Sequence, residues 1–173
     1  MEHIGFQTIS PEEIDYAVKR IGTDWMLVTA KDEENNRANA MTASWGCLGV
    51  LWKKPVCICF IRPQRHTFTL AEQTDRFSIA FLGDGYRDAL QLCGSKSGRD
   101  LDKLKAAGLS SVEIDGVPVI REAELVLIVR KLYTDDLKKD SFLDPSLLVN
   151  YKNNDFHRVY VLEIEGAYRK SRQ

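Results

Sequence analysis

Six runs rich in β-branched, aromatic and aliphatic residues set the strongest limit on the fold. They are DWMLVTA (24–30), RANAMTASWG (37–46), PVCICFIRP (55–63), RFSIAFL (76–82), AELVLIVRKLY (123–133) and HRVYVLEIEGAY (157–168). Each has the composition of a β-strand. Helical patterns fall between them at irregular intervals. SPEEIDYAVKRIG (10–22) has a Ser-Pro-Glu-Glu start and a Gly stop, and TLAEQTD (69–75) begins at a Thr69-x-x-Glu72 capping box. GYRDALQLCG (85–94) and GRDLDKLKAAG (98–108) complete the set, the second ending on a Gly suited to a helix C′ position. Strands with helices inserted irregularly, rather than in strict βαβ alternation, predict a mainly β chain with short helices: an antiparallel barrel, not a parallel sheet. A small barrel has a mouth that can hold a ligand.

At 173 residues the chain is read as one domain, 1–173, long enough to bury a core without staples. No repeat, low-complexity tract or Gly/Ser linker divides it. With 24 basic and 25 acidic side chains the net charge is -1, so no chain-wide field attracts nucleic acid or an anionic membrane. No apolar run approaches the roughly 20 residues of a membrane-spanning helix, and MEHIGFQTISPEE lacks a signal-peptide core. The expectation is a cytoplasmic protein with no nucleic-acid or membrane partner. Cys47, Cys57, Cys59 and Cys93 form no C-x-x-C pair and no metal-like set with histidines, and read as small apolar residues. No metal site is expected.

Three polar clusters stand out. In NAMTASWG (39–46), strand alternation puts Asn39, Met41 and Ala43 on one face and Ala40, Thr42 and Ser44 on the other. A face of one methyl and two hydroxyls is poor core material; it suits either a solvent-facing edge or a flat polar ligand lying close to the backbone. In IRPQRHT (61–67), Arg62 and Arg65 offer planar forks for a phosphate or carboxylate, and Thr67 stands near a helix N-terminus. A solvated rim would use the same arginines. CGSKSGRDLDK (93–103) places Ser95, Lys96 and Ser97 between glycines, with Ser97-x-x-Asp100 as a helix cap and Arg99 and Lys103 on one helical face. It does not satisfy G-x-x-x-x-G-K-[ST], which argues against nucleotide hydrolysis of that type. Phosphate seat and capped surface helix are both open readings of it. One ligand with a phosphate and a planar ring would use all three clusters.

In this order and spacing, NAMTASWG, RPQRHT and CGSKSGRDLDK resemble the flavin reductase-like family of FMN-binding split barrels, most closely its flavoredoxin-type branch, over roughly residues 20 to 168. The resemblance implies a six-stranded antiparallel Greek-key split β-barrel, a homodimer, and FMN as cofactor. It implies that Met41, Thr42, Ala43 and Ser44 run beside the isoalloxazine ring and that Asn39 is a further cofactor-binding residue. Arg62, Arg65, Thr67, Ser95, Lys96, Ser97 and Lys103 would hold the phosphate and ribityl chain, and His157 resembles the family's late histidine near the flavin face. The implied activity is an oxidoreductase moving electrons from NAD(P)H through FMN to free flavin, a ferric chelate or a redox protein. Nicotinamide chemistry at a flavin asks the protein for orientation rather than a Ser/His/Asp set, since the cofactor carries the reaction. FSIAFL, with Ala80 where many family members carry Asn, leaves open an electron carrier without NAD(P)H activity. YTDDLKKDSFLD (133–144) is expected to be a solvated loop, with a lid over a neighbouring subunit as the other option.

Overall fold

The computed structural model of the protein describes residues 2–3 and 5–171. Met1 and Ile4 of the amino-terminal segment and the last two residues of the basic tail YRKSRQ lie outside the described residues.

All six predicted strands form: β3 (Met26–Asp32), β4 (Arg37–Ala43), β6 (Lys54–Ile61), β7 (Arg76–Phe81), β10 (Leu125–Asp136) and β11 (Arg158–Lys170). They make one continuous antiparallel path in the order β6-β11-β10-β7-β3-β4. The long β11 makes this possible: Arg158–Glu163 pair with β6, while Ala167–Lys170 pair with β2 (Phe6–Ile9). A bulge near Ile128 and another near Lys131 bend β10 against β11.

The count of six is corrected. The main sheet has nine strands among the described residues, because β1 (Glu2–His3) and β2 extend it past β11 and β5 (Gly46–Leu51) adds to β6. Its hydrogen bonds do not close into a ring: β4 and β5 each pair on one side only. A separate hairpin, β8 (Ser111–Ile114) and β9 (Val117–Ile120), turns at Asp115-Gly116, both with positive φ (50° and 75°). An Asp-Gly pair in that conformation is a favoured two-residue hairpin turn.

Strand alternation sends side chains to two buried layers. Met26, Val28, Met41, Ala43, Ile79, Leu127 and Leu162 fill one; Leu27, Ala40, Ala80, Val126 and Ile128 face the other, which the helices and the β8–β9 hairpin cover. Both faces of these strands are therefore withdrawn from water, which is why their sequences read as near-continuous apolar runs.

The helices depart more from expectation. Residues 10–22 do not make one helix: a 3-10 turn (Pro11–Glu13) and a single helical turn α1 (Ala17–Lys19) are separated at Tyr16, whose φ of 54° interrupts the right-handed path. A wider π-type turn (Arg20–Asp24) follows. Helix α2 (His66–Gln73) starts three residues before the expected cap, because Glu72 is engaged elsewhere: its carboxylate accepts from Tyr160 Oη at 2.7 Å and from Arg158 at 2.7 Å. Helix α3 (Arg87–Ser95) agrees with its pattern, but it runs through Gly94 and Ser95. The next helix, α4 (Lys103–Ala106), is one turn long and is capped by Asp102, which accepts from Lys105 N at 3.1 Å. Ser97 and Arg99 therefore lie in a turn outside it.

The segment 133–144 is not simply a solvated loop. β10 continues to Asp136, and 3-10 turns at Lys139–Ser141 and Pro145–Tyr151 fold the rest back toward β6. No helix among the described residues is long and apolar enough to cross a membrane.

Candidate functional site

A cleft of about 220 Å³ opens where the end of β4 meets the end of β6 and the last turn of α3. Met41, Thr42, Ala43 and Ser44 supply one wall, Arg62 and Arg65 another, and His157 a third. The first two sequence clusters and the late histidine are thus brought together, and the third contributes Gly94. Trp45 and Phe60 also line it. Phe60 sits in an apolar strand and carries no sequence signal of a ligand wall; Gly94 belongs to the CGSKSGRDLDK cluster, though not to the residues singled out from it. A Cβ at Gly94 would lie 3.4 Å from Thr42 Cβ, so any side chain there would crowd that wall.

The hydroxylated face of β4 is used differently from the expectation. Ala40 is buried under the helical layer, and Thr42 Oγ1 donates to the Leu90 carbonyl of α3 at 2.5 Å. The Thr42 hydroxyl thus ties β4 to α3 and offers the cleft only its lone pairs. Asn39 is buried behind the wall, donating through Nδ2 to Thr67 Oγ1 at 2.9 Å. That bond consumes two of the expected site residues in fixing the start of α2 to β4. Gly98 is pressed against the Asn39 amide, where a Cβ would collide, and its carbonyl accepts from Arg37 Nη2 at 2.8 Å.

Arg62 and Arg65 lie in one turn but differ in their partners. Arg62 is ion-paired with Asp155, donates to the Asn150 carbonyl at 3.0 Å, and stacks over Tyr151 with its Cζ 5.3 Å from the ring centre. Arg65 has no carboxylate partner among the described residues; its Nη2 donates to the Cys93 carbonyl at 3.3 Å. Lys103, only 3% exposed, donates to that same carbonyl at 3.2 Å and is likewise in no ion pair among the described residues. Burial pushes the Lys103 pKa down to about 8, against the pull of the Cys93 thiol and reinforced by repulsion from Arg65. Burial lowers that of Arg65 as well. Two buried or half-buried cations on one carbonyl, at the negative end of α3, form a positive locus that no carboxylate among the described residues answers.

The remaining predicted phosphate ligands are not part of this locus. Ser95 and Lys96 are exposed at the end of α3, with Ser95 Oγ donating to the Leu92 carbonyl at 3.4 Å. Ser97 Oγ accepts from Arg99 N at 3.2 Å, a turn contact and not a helix cap. Arg99 and Lys103 do not share a helical face, since Arg99 precedes α4 and reaches instead to the Gln64 carbonyl at 3.3 Å. The Gly-Ser-Lys-Ser-Gly stretch leaves a helix rather than entering one.

At the opposite end, His157 packs against Trp45 (ring centres 5.1 Å apart) and edge-on to Phe60 (6.4 Å). Its Nδ1 is 2.9 Å from Tyr151 Oη. Burial pushes the His157 pKa down to about 4, helped by the Arg62 charge, so the ring is neutral at physiological pH.

The chain matches the family model for the flavin reductase like domain over residues 18–171. Among curated proteins it is similar to an uncharacterized protein of Escherichia coli K12, YddH, at 30% identity over 99 residues; the match spans 56% of this chain and about half (52%) of that protein's length. Among solved structures it is similar to an FMN-binding domain of a flavin reductases-like enzyme from Shewanella baltica (TM-score 0.69, 18% identity, 95% of this chain and 77% of that one). An FMN-binding protein from Thermus thermophilus, solved with p-hydroxybenzaldehyde bound, gives a TM-score of 0.65 at 25% identity, covering 84% and 70%. A flavoredoxin from Methanosarcina acetivorans gives 0.65 at 22% identity, covering 87% and 69%.

Proposed function

The chain belongs to the flavin reductase-like domain family, and from that premise we propose that its cleft holds FMN and that the protein is an NAD(P)H-dependent flavin oxidoreductase. The observation that carries the cofactor reading is the positive locus: Arg65 and Lys103 share the Cys93 carbonyl and have no carboxylate partner among the described residues. A buried ammonium without a counter-charge is costly in a resting fold, and a phosphate dianion is the group that offsets it. The residues present therefore fit a flavin mononucleotide better than a flavin without phosphate.

When bound, FMN supplies the reversible hydride and electron chemistry. The chain's part is binding and orientation. Arg65 and Lys103 hold the phosphate, Thr42, Ala43 and Ser44 offer small side chains beside Met41 as a wall on which a planar ring can lie, and Trp45 and Phe60 exclude water from it. Ser95, Lys96 and Ser97 are exposed or turn-bound and lie outside the Arg65–Lys103 locus, so the proposal gives them no more than a place at its solvent edge. Electrons would pass from NADH or NADPH to free flavin, a ferric chelate or a redox protein. A homodimer is part of the proposal, supported by the exposed apolar side chains of Tyr16, Val18, Val50 and Trp52.

A second reading, an FMN electron carrier without NAD(P)H activity, is favoured by Ala80. It is fully buried in the layer beneath α3 and presents no polar group to the cleft. Reconstitution with FMN, desalting, and anaerobic addition of NADH and then NADPH separates the two. Retained flavin that bleaches supports the oxidoreductase; retained flavin that stays oxidised supports the carrier; no retained flavin overturns both.

A further inference from the structure

The 3-10 turn Pro145–Tyr151 delivers a buried tyrosine to the back of His157. Tyr151 is stacked on Phe156 (ring centres 4.7 Å, 19° between planes), meets Phe142 at 5.7 Å, and is covered by the Arg62 guanidinium. These contacts fix the ring, so that its hydroxyl comes within 2.9 Å of His157 Nδ1. Trp45 and Phe60 hold the imidazole from its other sides.

A neutral imidazole carries one proton, and the partner of Nδ1 decides which nitrogen has it. If Nδ1 donated to Tyr151, the phenol proton would need another acceptor, and Nδ1 is the sole hydrogen-bond partner of Tyr151 Oη among the described residues. With the hydroxyl only partly reachable by water, a residue 7% exposed, the arrangement that leaves no buried donor unmade has Tyr151 O–H donating to Nδ1. The imidazole proton then sits on Nε2. That atom makes no hydrogen bond to the described residues and is not among the buried polar atoms left without a partner, so its free side opens on the cleft that His157 lines.

We propose that Tyr151 is a positioning residue that holds His157 in its Nε2–H form and thereby presents a neutral hydrogen-bond donor to a carbonyl oxygen of the bound flavin. The inference rests on the flavin reading of the cleft. It gives the segment between β10 and β11 a role: Arg62, paired with Asp155, does not serve the phosphate but clamps the tyrosine that sets the histidine.

The test uses the uniformly 15N-labelled full chain and long-range 1H–15N correlation of the His157 ring at neutral pH, before and after addition of FMN. It compares wild type with Tyr151→Phe, His157→Gln and the double variant. Tyr151→Phe keeps every ring contact and removes one oxygen. The expected result is a single Nε2–H form in the wild type and a mixture of forms in Tyr151→Phe. FMN affinity falls about tenfold in Tyr151→Phe, the worth of one hydrogen bond. In the His157→Gln background, where the amide donor needs no tautomer set, the same change costs less than about twofold. A wild-type Nδ1–H form, an unchanged form in Tyr151→Phe, or an equal loss of affinity in the Gln background overturns the proposal while FMN binding itself stands. Failure of the wild type to take up FMN, with the Nε2–H form present and lost in Tyr151→Phe, overturns the flavin reading and supports the role of Tyr151.

Discussion

At one end of the cleft Arg65, with Lys103 behind it, carries positive charge with no carboxylate partner among the described residues; at the other, Arg62 is paired with Asp155 and His157 with Tyr151. Both ends are cationic in sequence, and RPQRHT contributes an arginine to each. What separates them is the reach of the neighbouring chain. The segment between β10 and β11 brings Asp155 to Arg62, whereas Arg65 faces the end of α3, where among the described residues its side chain donates to a backbone carbonyl and to no carboxylate. The first arrangement is complete without a ligand and the second is not, so the two ends should respond oppositely to substitution, to pH and to phosphate.

The sharpest way to break the contrast is Lys103→Met. It should weaken FMN binding by roughly 100-fold, about 3 kcal/mol for a charge-assisted contact, yet raise the melting temperature of the flavin-free protein, because a desolvated charge is replaced by an apolar side chain. Calorimetric titration and a thermal melt read the two signs separately. A loss of both affinity and stability would mean that Lys103 is structural.

The ring end should show itself in acid. His157 has a folded pKa near 4, below its ordinary 6.5, so the unfolded chain binds the extra proton first. Its contribution is complete above pH 6.5 and is lost as pH falls toward 4: about 2 kcal/mol between pH 6.5 and 4.5. Urea melts across that range should lose this amount in the wild type and not in His157→Gln.

The phosphate end should show itself in base. With Lys103 near 8 in the empty protein and raised by a bound dianion, FMN affinity should hold below pH 8 and fall about tenfold per unit above it. Equilibrium dialysis at pH 7, 8 and 9 measures the slope; a flat profile would remove Lys103 from the locus. The smallest effect is expected at Asp155→Asn. A partly exposed ion pair is worth less than about 1 kcal/mol, so FMN affinity should move by no more than a few-fold.

The strands were legible because both of their faces are buried, and continuous apolar runs such as AELVLIV and PVCICFI have few other ways to fold. β5 was not: GCLGVL has two glycines and is mostly exposed, so it reads as a loop. The β8–β9 hairpin carried its Asp-Gly signal openly, in SVEIDGVPVI, but its short strands fell outside the main runs. Helix starts were misplaced where a side chain had a better partner than the backbone. Glu72 answers Tyr160 and Arg158 across the sheet, and no local pattern contains them. The same holds at the site. Arg65 and Lys103 could be named as cations from their residue types, whereas their convergence on the Cys93 carbonyl depends on α3 extending to Ser95. Tyr151 was unreadable: its role comes from a distance of 2.9 Å to His157, set by a 3-10 turn and two phenylalanines.

The most direct test of the account compares FMN with riboflavin, the same ring system without the phosphate, by equilibrium dialysis against the wild-type protein at pH 7. The structure predicts FMN to bind at least about 100-fold more tightly, since Arg65 and Lys103 await an anion. Equal affinities, or preference for riboflavin, would contradict it.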